Sequence, residues 1–437
     1  MLPNVLNLQR NRPEVGDAEV AERSGPGLLD GIRVLDLTIA LAGPFTTLSL
    51  AMLGAEVVRV ESPGGTGDLS RWNPPFVGPG GAHFEAPEPD DISVSMLNRS
   101  QGKKSVTLNL KSTVGRQMFL DMARTADVVV ENFSAGTADR LGVGYDAVRA
   151  VNQGIVYCSI SGFGADSPYP DLKAMDIIIQ AMSGVMEATG TAGEPPVRVG
   201  VPVGDVTGSL YATSAVLAAL ISRMRTGEGR YIDVSLVDCL AALVSVEHFE
   251  TFARAGIETR TGNAHARLTP FGVYPAADGY VAIAAHTDRW VAALFGAMGR
   301  PELMREERFA TRGARVRNAS AINALIEGWT RQFARDELVR TLGEEHGVPA
   351  APVRTPDEAM FDRHFAERGS LVPLRHPLYG AGEDTVMGTG MPVRFSGIAA
   401  ESGRPVPALG EHNASVYAEL LGLDADAVEA LRRDGVV

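Results

Sequence analysis

The sequence contains an aspartate whose neighbours suit it to chemistry. Asp205 lies between Gly204 and Gly208, at the start of the strongest helical pattern in the chain. A helix N-terminus keeps a carboxylate ionised and supplies backbone N–H groups for an oxyanion, which suits a nucleophile that attacks a carbonyl carbon. The two glycines leave room for a ligand. Position alone favours the simpler interpretation that Asp205 is a helix N-cap, which is worth roughly 1 kcal/mol.

Two other polar segments are candidates for ligand binding. The segment Asn98–Lys104 places three cations beside a predicted strand. Such a cluster can hold phosphate groups, although a solvated turn accounts for it more simply. The segment Lys173–Asp176 precedes an apolar helix, so Asp176 either caps that helix or faces a pocket. The sequence leaves these alternatives open.

Composition and motif content exclude several classes of function. The 437 residues are too many for one simple core, and 45% of them are hydrophobic, so two packed domains are expected. A formal net charge of −13 disfavours nucleic acids and anionic membranes as partners. The chain has neither a GxGxxG dinucleotide fingerprint nor a Walker A motif, which argues against nicotinamide and nucleoside triphosphate sites.

The cysteine, histidine and hydropathy patterns bear on compartment and cofactors. The two cysteines cannot build a disulfide framework or a zinc cluster, which is typical of a reducing compartment. The eight histidines are scattered without metal-ligand spacing, so no metal site is predicted. Residues 1–27 do not resemble a signal peptide, and no apolar run is long enough to span a bilayer. We therefore expect a cytoplasmic protein that does not contact a membrane.

Strands and helices alternate along the first half of the chain. Ile32–Leu37 and Ala55–Val60 are predicted strands around a helix that ends near Gly54, and Ser105–Leu110 and Gly154–Ser159 continue the alternation. This pattern predicts an α/β fold with a mainly parallel sheet. After residue 245 a predicted hairpin around residues 278–279 and several helices indicate a second, smaller domain.

Short motifs in a fixed order resemble the class III coenzyme A transferase family, which includes formyl-CoA transferase, carnitine CoA-transferase and α-methylacyl-CoA racemase. The resemblance covers nearly the whole chain, from about residue 29 to residue 437. Its motifs are Leu29–Leu37, Ala42–Pro44, Leu53–Val57, Asn98–Arg99, Ser105–Lys111, Val130–Phe133, Ser161–Gly164, Gly204–Asp205, Thr226–Gly229 and Leu409–His412. Each motif is short, but their number and order make the match specific.

The resemblance implies a fold and a domain order. It implies a Rossmann-like large domain built from both chain ends, a smaller inserted α+β domain, and two interlocked subunits. In this chain the implied parts are an N-terminal extension at 1–27, the large domain at 28–245, the small domain at 246–375 and a return to the large domain at 376–437. The partner subunit is expected to be a second copy, or a related chain in a hetero-oligomer.

The resemblance also implies site residues. Asp205 matches the catalytic aspartate of the family. The residues that match the coenzyme A contacts are Ala42, Leu108, Lys111, Asn132, Phe133, Arg140, Lys173, Met175 and Asp176. Coenzyme A is then a substrate rather than a prosthetic group, and the expected partners are an acyl-CoA thioester and a carboxylic acid.

The implied activity is that of a CoA transferase. Coenzyme A would pass from an acyl-CoA thioester to a carboxylic acid through an aspartyl anhydride and an aspartyl-CoA thioester. Arg198, Arg267 and Arg289 are candidate partners for the second carboxylate of a dicarboxylate, although surface arginines are the simpler explanation. The segment around Gly262 and Asn263 matches a glycine-rich lid of the family, which would exclude water.

Two alternatives to the transferase stay open. The racemases of the family use a His-Asp pair where this chain has Met175 and Asp176, and α-proton exchange needs two acid/base groups. Met175 cannot serve as one of them, so the transferase is favoured over the racemase. A degenerate member could instead bind acyl-CoA as an inactive partner subunit, but the retained Asp205 argues against it.

Overall fold

The computed structural model describes residues 27–64, 67–85, 87–88, 90–170, 172–375, 386–398 and 400–437. The expected N-terminal extension at 1–27 lies outside the described residues, except for residue 27. The expected C-terminal part at 376–437 is described from residue 386 onwards, apart from residue 399.

The described chain forms two compact units. The first unit contains the described residues up to Ile179, then Val201–Leu240 and Met360–Val437. The second unit contains Gln180–Gly200 and Ala241–Ala359. The second unit is thus inserted into the first at two places along the chain.

Three segments group differently from the expected domain order. Residues 360–375, which were expected in the small domain, belong to the first unit. Residues 180–200 and 241–245, which were expected in the large domain, belong to the second unit. There Thr191 pairs with Thr261 in an antiparallel bridge, and Gly262 N donates to Gly190 O at 2.8 Å. These backbone bonds join residues that are distant in sequence, so no local pattern could indicate them.

The strands are numbered in chain order. They are β1 (Arg33–Asp36), β2 (Glu56–Glu61), β3 (Phe76–Gly78), β4 (Gly81–His83), β5 (Ile92–Ser93), β6 (Lys104–Thr107), β7 (Val128–Glu131), β8 (Val156–Ser161), β9 (Arg230–Ser235), β10 (Ala264–His265), β11 (Leu268–Ala276), β12 (Gly279–Ala284), β13 (Ala350–Pro352), β14 (Leu371–Pro373) and β15 (Met387–Thr389).

The α-helices are numbered in the same way. They are α1 (Ala42–Met52), α2 (Val94–Arg99), α3 (Thr113–Ala123), α4 (Thr137–Leu141), α5 (Tyr145–Val151), α6 (Asp176–Met182), α7 (Val185–Ala188), α8 (Val203–Thr226), α9 (Leu236–Val244), α10 (Phe249–Arg254), α11 (Asp288–Ala297), α12 (Arg312–Arg317), α13 (Ala319–Thr330), α14 (Arg335–Val339), α15 (Pro356–Met360), α16 (Arg363–Arg368), α17 (Asn413–Leu421) and α18 (Ala425–Arg433). Short 3₁₀-helices cover Leu69–Trp72, Ser245–Glu247 and Pro301–Arg305, and a π-helix covers Arg340–Glu345.

The first unit is organised around a parallel sheet of six strands, which confirms the predicted fold class. The strand order is β6-β2-β1-β7-β8-β9, and every neighbouring pair is parallel. Counted along the chain, this is the order 3-2-1-4-5-6 of the Rossmann fold. The order reverses between β1 and β7, and ligands of such sheets bind in the crevice beyond the carboxyl ends of the strands at that point.

The C-terminal residues complete one edge of this sheet. β6 is an edge strand, so one side of its backbone needs other partners. Thr107 N donates to Asn413 Oδ1 at 2.8 Å, and Tyr417 Oη donates to Thr107 O at 2.6 Å. Val416 and Val436 share a buried core with the strands of the sheet. The first unit is therefore built from both ends of the described chain, as the resemblance implied.

The second unit contains an antiparallel sheet with the order β10-β11-β12-β13. The predicted hairpin is confirmed, because β11 and β12 pair from Phe271↔Ala284 to Ala276↔Gly279 around a two-residue turn. The core of the unit joins Ile283 of this sheet to residues of α11 and α13, including Leu294 and Ile322. This mixture of sheet and helices is the α+β arrangement that was expected for the smaller domain.

The long helix α8 positions the candidate nucleophile. Among the described residues it is the one helix whose length and mean hydropathy of 1.3 would allow it to cross a membrane. α8 packs against α1, β8 and β9, and it buries Ala212, Val216 and Leu220. A single helix of this kind is weak evidence for a membrane span, because core helices of globular proteins pass the same test of length and composition.

Candidate active site

Asp205 lies in the first turn of α8 rather than at its N-cap. The helix begins at Val203, and the N-cap residue is Pro202, whose side chain makes no capping hydrogen bond. The N-cap interpretation of Asp205 is therefore wrong. α8 begins two residues before the first position that the sequence pattern suggested, and Pro202 precedes it as the N-cap residue. The carboxylate of Asp205 remains available for another role.

Asp176 caps α8 in place of Asp205. Asp176 Oδ1 accepts hydrogen bonds from Gly204 N at 2.9 Å and from Asp205 N at 3.4 Å. Helix N-termini leave backbone N–H groups without partners, and a carboxylate from a neighbouring helix satisfies them here. These two N–H groups are therefore bonded to Asp176, whereas the sequence analysis expected them to serve an oxyanion. The contact also brings two carboxylates to the same helix end.

The glycine before the nucleophile makes this approach possible. A Cβ atom at Gly204 would lie 2.9 Å from Ile179 Cγ2 and 3.1 Å from Asp176 Oδ1. Any larger residue would therefore push α6 and its carboxylate away from α8. The spacing of glycine and aspartate in the sequence thus allows α6 to cap α8 closely, rather than only leaving room for a ligand.

The surroundings of Asp205 change its acidity. Burial and the charge of Asp176 raise the pKa of Asp205 from 3.8 to about 6, while the nearby Arg99 opposes this shift. Asp205 is still mostly ionised at neutral pH, but it is a stronger base than an ordinary surface carboxylate. A carboxylate with a raised pKa that a cation keeps ionised is typical of a functional group rather than of a structural ion pair.

Arg99 is the cation of this group. It is the last residue of α2, and its Nη1 donates to Ala40 O at 2.6 Å and lies 3.5 Å from Ser70 Oγ. Burial lowers the pKa of Arg99, although Asp68 and Asp205 act to raise it. An arginine remains charged even under such conditions. The charges at the end of α8 are therefore two carboxylates and one guanidinium.

A pocket of about 430 Å³ opens at the carboxyl ends of β1, β2 and β6. Its lining residues include Leu108, Lys111 and Phe133, three of the expected coenzyme A contacts, together with Ile39. The pocket lies beside the reversal in strand order, where doubly wound sheets bind ligands. Its volume is within the range of small-molecule sites.

Two further expected contacts connect the strands around this pocket. The Asn132 side chain accepts from Ile39 N and donates to Ile39 O, both at 2.8 Å, and so joins the ends of β1 and β7. Ala42 is buried at the start of α1, and its carbonyl accepts from Ser209 Oγ at 2.6 Å. Ser209 Oγ also lies 2.7 Å from Asp205 O. The start of α1 is thereby connected to the first turn of α8.

The remaining expected contacts are exposed. Arg140 on α4 and Lys173 are exposed to solvent, and Met175 exposes 70% of its surface. The segment that carries Lys173 and Met175 is positioned by Gly162, where a Cβ atom would lie 2.1 Å from Ala174 Cβ. Of this segment, Asp176 is the residue that contacts α8.

A family model described as CoA-transferase family III matches residues 29–413. The chain belongs to this family. The predicted family and the predicted class of enzyme, a CoA-transferase, are thereby confirmed.

Named relatives and a solved structure agree with this membership. The chain is 36% identical over 401 residues to the succinate–glutarate CoA-transferase of Agrobacterium fabrum, covering 91% of this chain and 97% of that protein. It is 38% identical over 402 residues to the succinyl-CoA:mesaconate CoA-transferase of Haloarcula marismortui, covering 90% and 96% of the two chains. The crystal structure of a CAIB/BAIF family protein from Brucella suis superposes with a TM-score of 0.78 at 36% identity, covering 91% of this chain and all of that one.

The predicted cation cluster of this CoA-transferase does not form a phosphate site. Lys103 is buried and its Nζ contacts Asp36 Oδ2 at 3.0 Å and Thr47 Oγ1 at 2.6 Å. Lys104 instead forms an ion pair with Glu56. Both the phosphate and the solvated-turn interpretations are wrong for Lys103. Arg99 ends α2, Lys103 precedes β6 and Lys104 begins β6, so three cations that are close in sequence have separate partners.

The sequence analysis missed a strained residue beside Arg99. Ala40 has a φ angle of 60°, which is rare for a residue other than glycine. Its N–H donates to Asp68 Oδ1 at 3.2 Å, and its carbonyl accepts from Arg99 and from Ser70 Oγ at 3.2 Å. Asp68 itself is buried and forms an ion pair with the buried Arg59. The sequence predicts a long loop at the Gly- and Pro-rich stretch 62–91, although the structure places β3, β4 and a 3₁₀-helix there. The length of this stretch is the signal that could have indicated such a role.

Proposed function

We propose that this CoA-transferase moves coenzyme A from the thioester of one dicarboxylic acid to a second dicarboxylic acid, with Asp205 as the nucleophile. The relatives reported above are named for succinate, glutarate and mesaconate, which are dicarboxylates. The observation that carries the proposal for Asp205 is its position beside Asp176 and Arg99, where its pKa is raised to about 6. The acid is mostly ionised at neutral pH, and its helix turn is connected to the start of α1 through Ser209.

In the proposed reaction, an oxygen of Asp205 attacks the carbonyl carbon of the donor thioester. The C–S bond breaks, the thiolate of coenzyme A leaves and a mixed anhydride forms. The thiolate then attacks the Asp205 carbonyl carbon, so the donor acid leaves as a carboxylate and an aspartyl-CoA thioester remains. The acceptor acid runs the same two steps in reverse and restores the carboxylate. No proton is consumed, and water must stay excluded.

We also propose that coenzyme A is bound as a substrate, without a prosthetic group, at the pocket beside the reversal in strand order. Lys111 and Arg140 are exposed cations at this edge of the sheet, which suits the phosphate groups of the ligand. Leu108 and Phe133 offer apolar surface in the same region. Lys173 and Met175 remain proposed contacts for the thioester end of coenzyme A. The segment that contains them also contains Asp176.

The alternatives fit less well. The family relatives are named as transferases, and Met175 offers no acid/base group where a racemase needs one. An inactive acyl-CoA-binding subunit would tolerate Asp205→Ala without loss of function. A CoA-transferase with the proposed mechanism would not.

We propose an interlocked homodimer in the cytoplasm as the assembly. α8 presents a row of exposed apolar side chains, including Leu210, Tyr211, Ile221 and the 84% exposed Met224. Monomeric proteins rarely leave such apolar surface uncovered, so a second subunit is the proposed cover. Light scattering after size exclusion tests this directly, and a monomeric mass at micromolar concentration would contradict it.

Mass spectrometry tests the role of Asp205. The protein is incubated with succinyl-CoA, glutaryl-CoA and acetyl-CoA in separate samples, quenched with borohydride or hydroxylamine, and digested. Modification of the peptide that carries Asp205 by the dicarboxylyl thioesters is expected, and its absence in Asp205→Asn is the control. Modification at another residue, or none with any donor, would contradict the proposed nucleophile.

A further inference from the structure

We propose that Arg99 binds the reacting carboxylate of the acid, and that it does so because Asp205 loses its own charge when it carries coenzyme A. This inference rests on the proposed function and adds a second residue to it. The charge of Asp205 would act on Arg99 in the free enzyme, and Arg99 would pair with the donor or acceptor acid once Asp205 is a thioester.

The hydrogen bonds of Arg99 leave part of its guanidinium available. Nη1 is engaged by Ala40 O at 2.6 Å. Within the described part of the chain, Nε and Nη2 have no hydrogen-bond partner, although the side chain is only partly exposed. A partly buried guanidinium with two neighbouring N–H donors fits the two oxygens of a carboxylate.

Hydrogen bonds connect Arg99 to the helix turn that carries the nucleophile. The Ala40 peptide is bonded on both sides, to Asp68 through its N–H and to Arg99 through its carbonyl. Two residues later Ala42 O accepts from Ser209 Oγ, which also contacts Asp205 O. Arg99 is thus connected to the first turn of α8 through a backbone segment that the Asp68 contact keeps in a left-handed conformation.

The charges around Arg99 indicate when it is free to bind an anion. Asp68 is already neutralised by the ion pair with Arg59. Asp205 is the other carboxylate whose charge acts on Arg99. When Asp205 becomes an anhydride or a thioester, its negative charge leaves with the thiolate or the acid. Arg99 is then a partly buried cation without a counter-charge, a state that an incoming carboxylate relieves.

The bonds and charges of the acceptor half-reaction balance in this scheme. An oxygen of the acid on Arg99 attacks the Asp205 carbonyl carbon, the C–S bond breaks, and the thiolate of coenzyme A leaves. The thiolate attacks the acyl carbon of the acid, the anhydride C–O bond breaks, and Asp205 is again a carboxylate beside Arg99. Arg99 therefore has a negative neighbour in the free enzyme and again when the acid is bound, and it has none in the aspartyl-CoA enzyme before the acid arrives.

This scheme predicts unequal effects on the two half-reactions. In the free enzyme and in the transition states Arg99 has a negative neighbour, whereas in the aspartyl-CoA enzyme it has none. Replacing Arg99 therefore leaves the activation free energy of the first half-reaction, from free enzyme to transition state, nearly unchanged. The same replacement removes the attraction that draws the acid to the aspartyl-CoA enzyme, so the second half-reaction slows.

The experiment separates the half-reactions of wild type, Arg99→Gln and Arg99→Lys. The aspartyl-CoA enzyme is formed with succinyl-CoA at about pH 8.5, where Asp205 is ionised given its pKa of about 6. It is then desalted and mixed with succinate, glutarate or acetate in a quenched-flow instrument. Arg124→Gln on α3, an exposed cation paired with Asp121, is the control for the loss of one charge.

We expect Arg99→Gln to reduce the second-order rate constant for discharge by acids about 10- to 100-fold, the range for one charge-assisted hydrogen-bonding site. The rate constant for formation of the aspartyl-CoA enzyme should change less than about threefold. The equilibrium constant should therefore shift toward the aspartyl-CoA enzyme by the same factor by which discharge slows. Arg99→Lys should recover part of the rate, and Arg124→Gln should behave as wild type. Acetate and the dicarboxylates should lose the same factor.

Each other outcome has a definite meaning. Equal losses in both half-reactions, or none in either, would overturn the role of Arg99, provided that circular dichroism shows a folded variant. A loss confined to dicarboxylates would also overturn it, because Arg99 would then bind the remote carboxylate. A wild-type protein that forms no adduct at Asp205 would refute the proposed function itself, which distinguishes the two failures.

Discussion

Two acids of the first unit, the buried Asp36 and the half-buried Asp205, have opposite surroundings. Burial acts to raise the pKa of Asp36, but Lys103, Arg59 and the hydroxyl groups of Thr38 and Thr47 outweigh it, so the pKa is lowered. At Asp205 burial and a second carboxylate prevail over one arginine, and the pKa rises to about 6. Both acids lie near a cation, yet one is fully hydrogen-bonded and the other is not.

The difference separates a structural acid from a reactive one. Asp36 and Lys103 hold β1 against α1 and β6, and every hydrogen bond that Asp36 accepts comes from within the core. Within the described residues, the Asp205 carboxylate has no comparable set of donors, and Asp176 accepts from the N–H groups of Gly204 and Asp205. A carboxylate that the fold leaves unsatisfied keeps its lone pairs for a substrate.

The largest expected effect is on catalysis. Asp205→Ala should reduce the rate of CoA transfer by about 10³-fold or more, since the covalent route is lost. Asp36→Asn should retain measurable transfer in any fraction that folds, because Asp36 serves the core. Steady-state assays of purified, folded variants check both. Comparable rates for Asp205→Ala and wild type would remove the distinction between the two acids.

Breaking the structural pair should instead affect folding. Lys103→Met leaves Asp36 buried without its main counter-charge, and the free energy of unfolding should fall by about 3–5 kcal/mol. The double variant Asp36→Asn with Lys103→Met should recover part of this loss, because it removes the unpaired charge. Urea unfolding at neutral pH measures both. A loss below about 1 kcal/mol for Lys103→Met would mean that this pair does not stabilise the fold.

Removing the reactive acid should have the opposite effect on stability. The pKa of Asp205 is higher in the folded protein than the ordinary value of 3.8, so its charge destabilises the fold above about pH 6 and has no effect below about pH 4. Asp205→Asn should raise the free energy of unfolding at about pH 8 by up to about 3 kcal/mol, at 1.36 kcal/mol per unit of pKa. Urea unfolding at about pH 8 and pH 4 tests this, and an equal gain at both pH values would contradict it.

The smallest expected effect is a shift in the pH profile. The rate of CoA transfer at low substrate concentration should fall about tenfold per pH unit below about pH 6, as Asp205 becomes protonated. Asp176→Asn removes a negative neighbour and should move this limb to lower pH. Asp121→Asn on the exposed surface is the control and should leave the profile unchanged. If the acidic limb of the pH profile does not move in Asp176→Asn, the group that titrates is not Asp205.

Several features of this protein were predictable because they depend on local pattern. The alternation of strands and helices predicted the parallel sheet, and the motif order around Asp205 predicted the family. The hairpin of β11 and β12 was also predicted from its turn. In contrast, the start of α8 was placed two residues late, since the pattern cannot show that Pro202 opens the helix. The partners of Lys103 and Lys104 depend on the direction in which each side chain points, and the sequence pattern does not show that direction.

The sequence by itself determined the fold class, the family and the glycine-flanked aspartate, because each of these is encoded in neighbouring residues. Only the tertiary structure decided what surrounds that aspartate. Asp176 reaches Asp205 N across 29 positions, Arg99 reaches Ala40 across 59, and Lys103 reaches Asp36 across 67. Such contacts are selected by burial, helix ends and the direction of strands, which act only once the chain is folded.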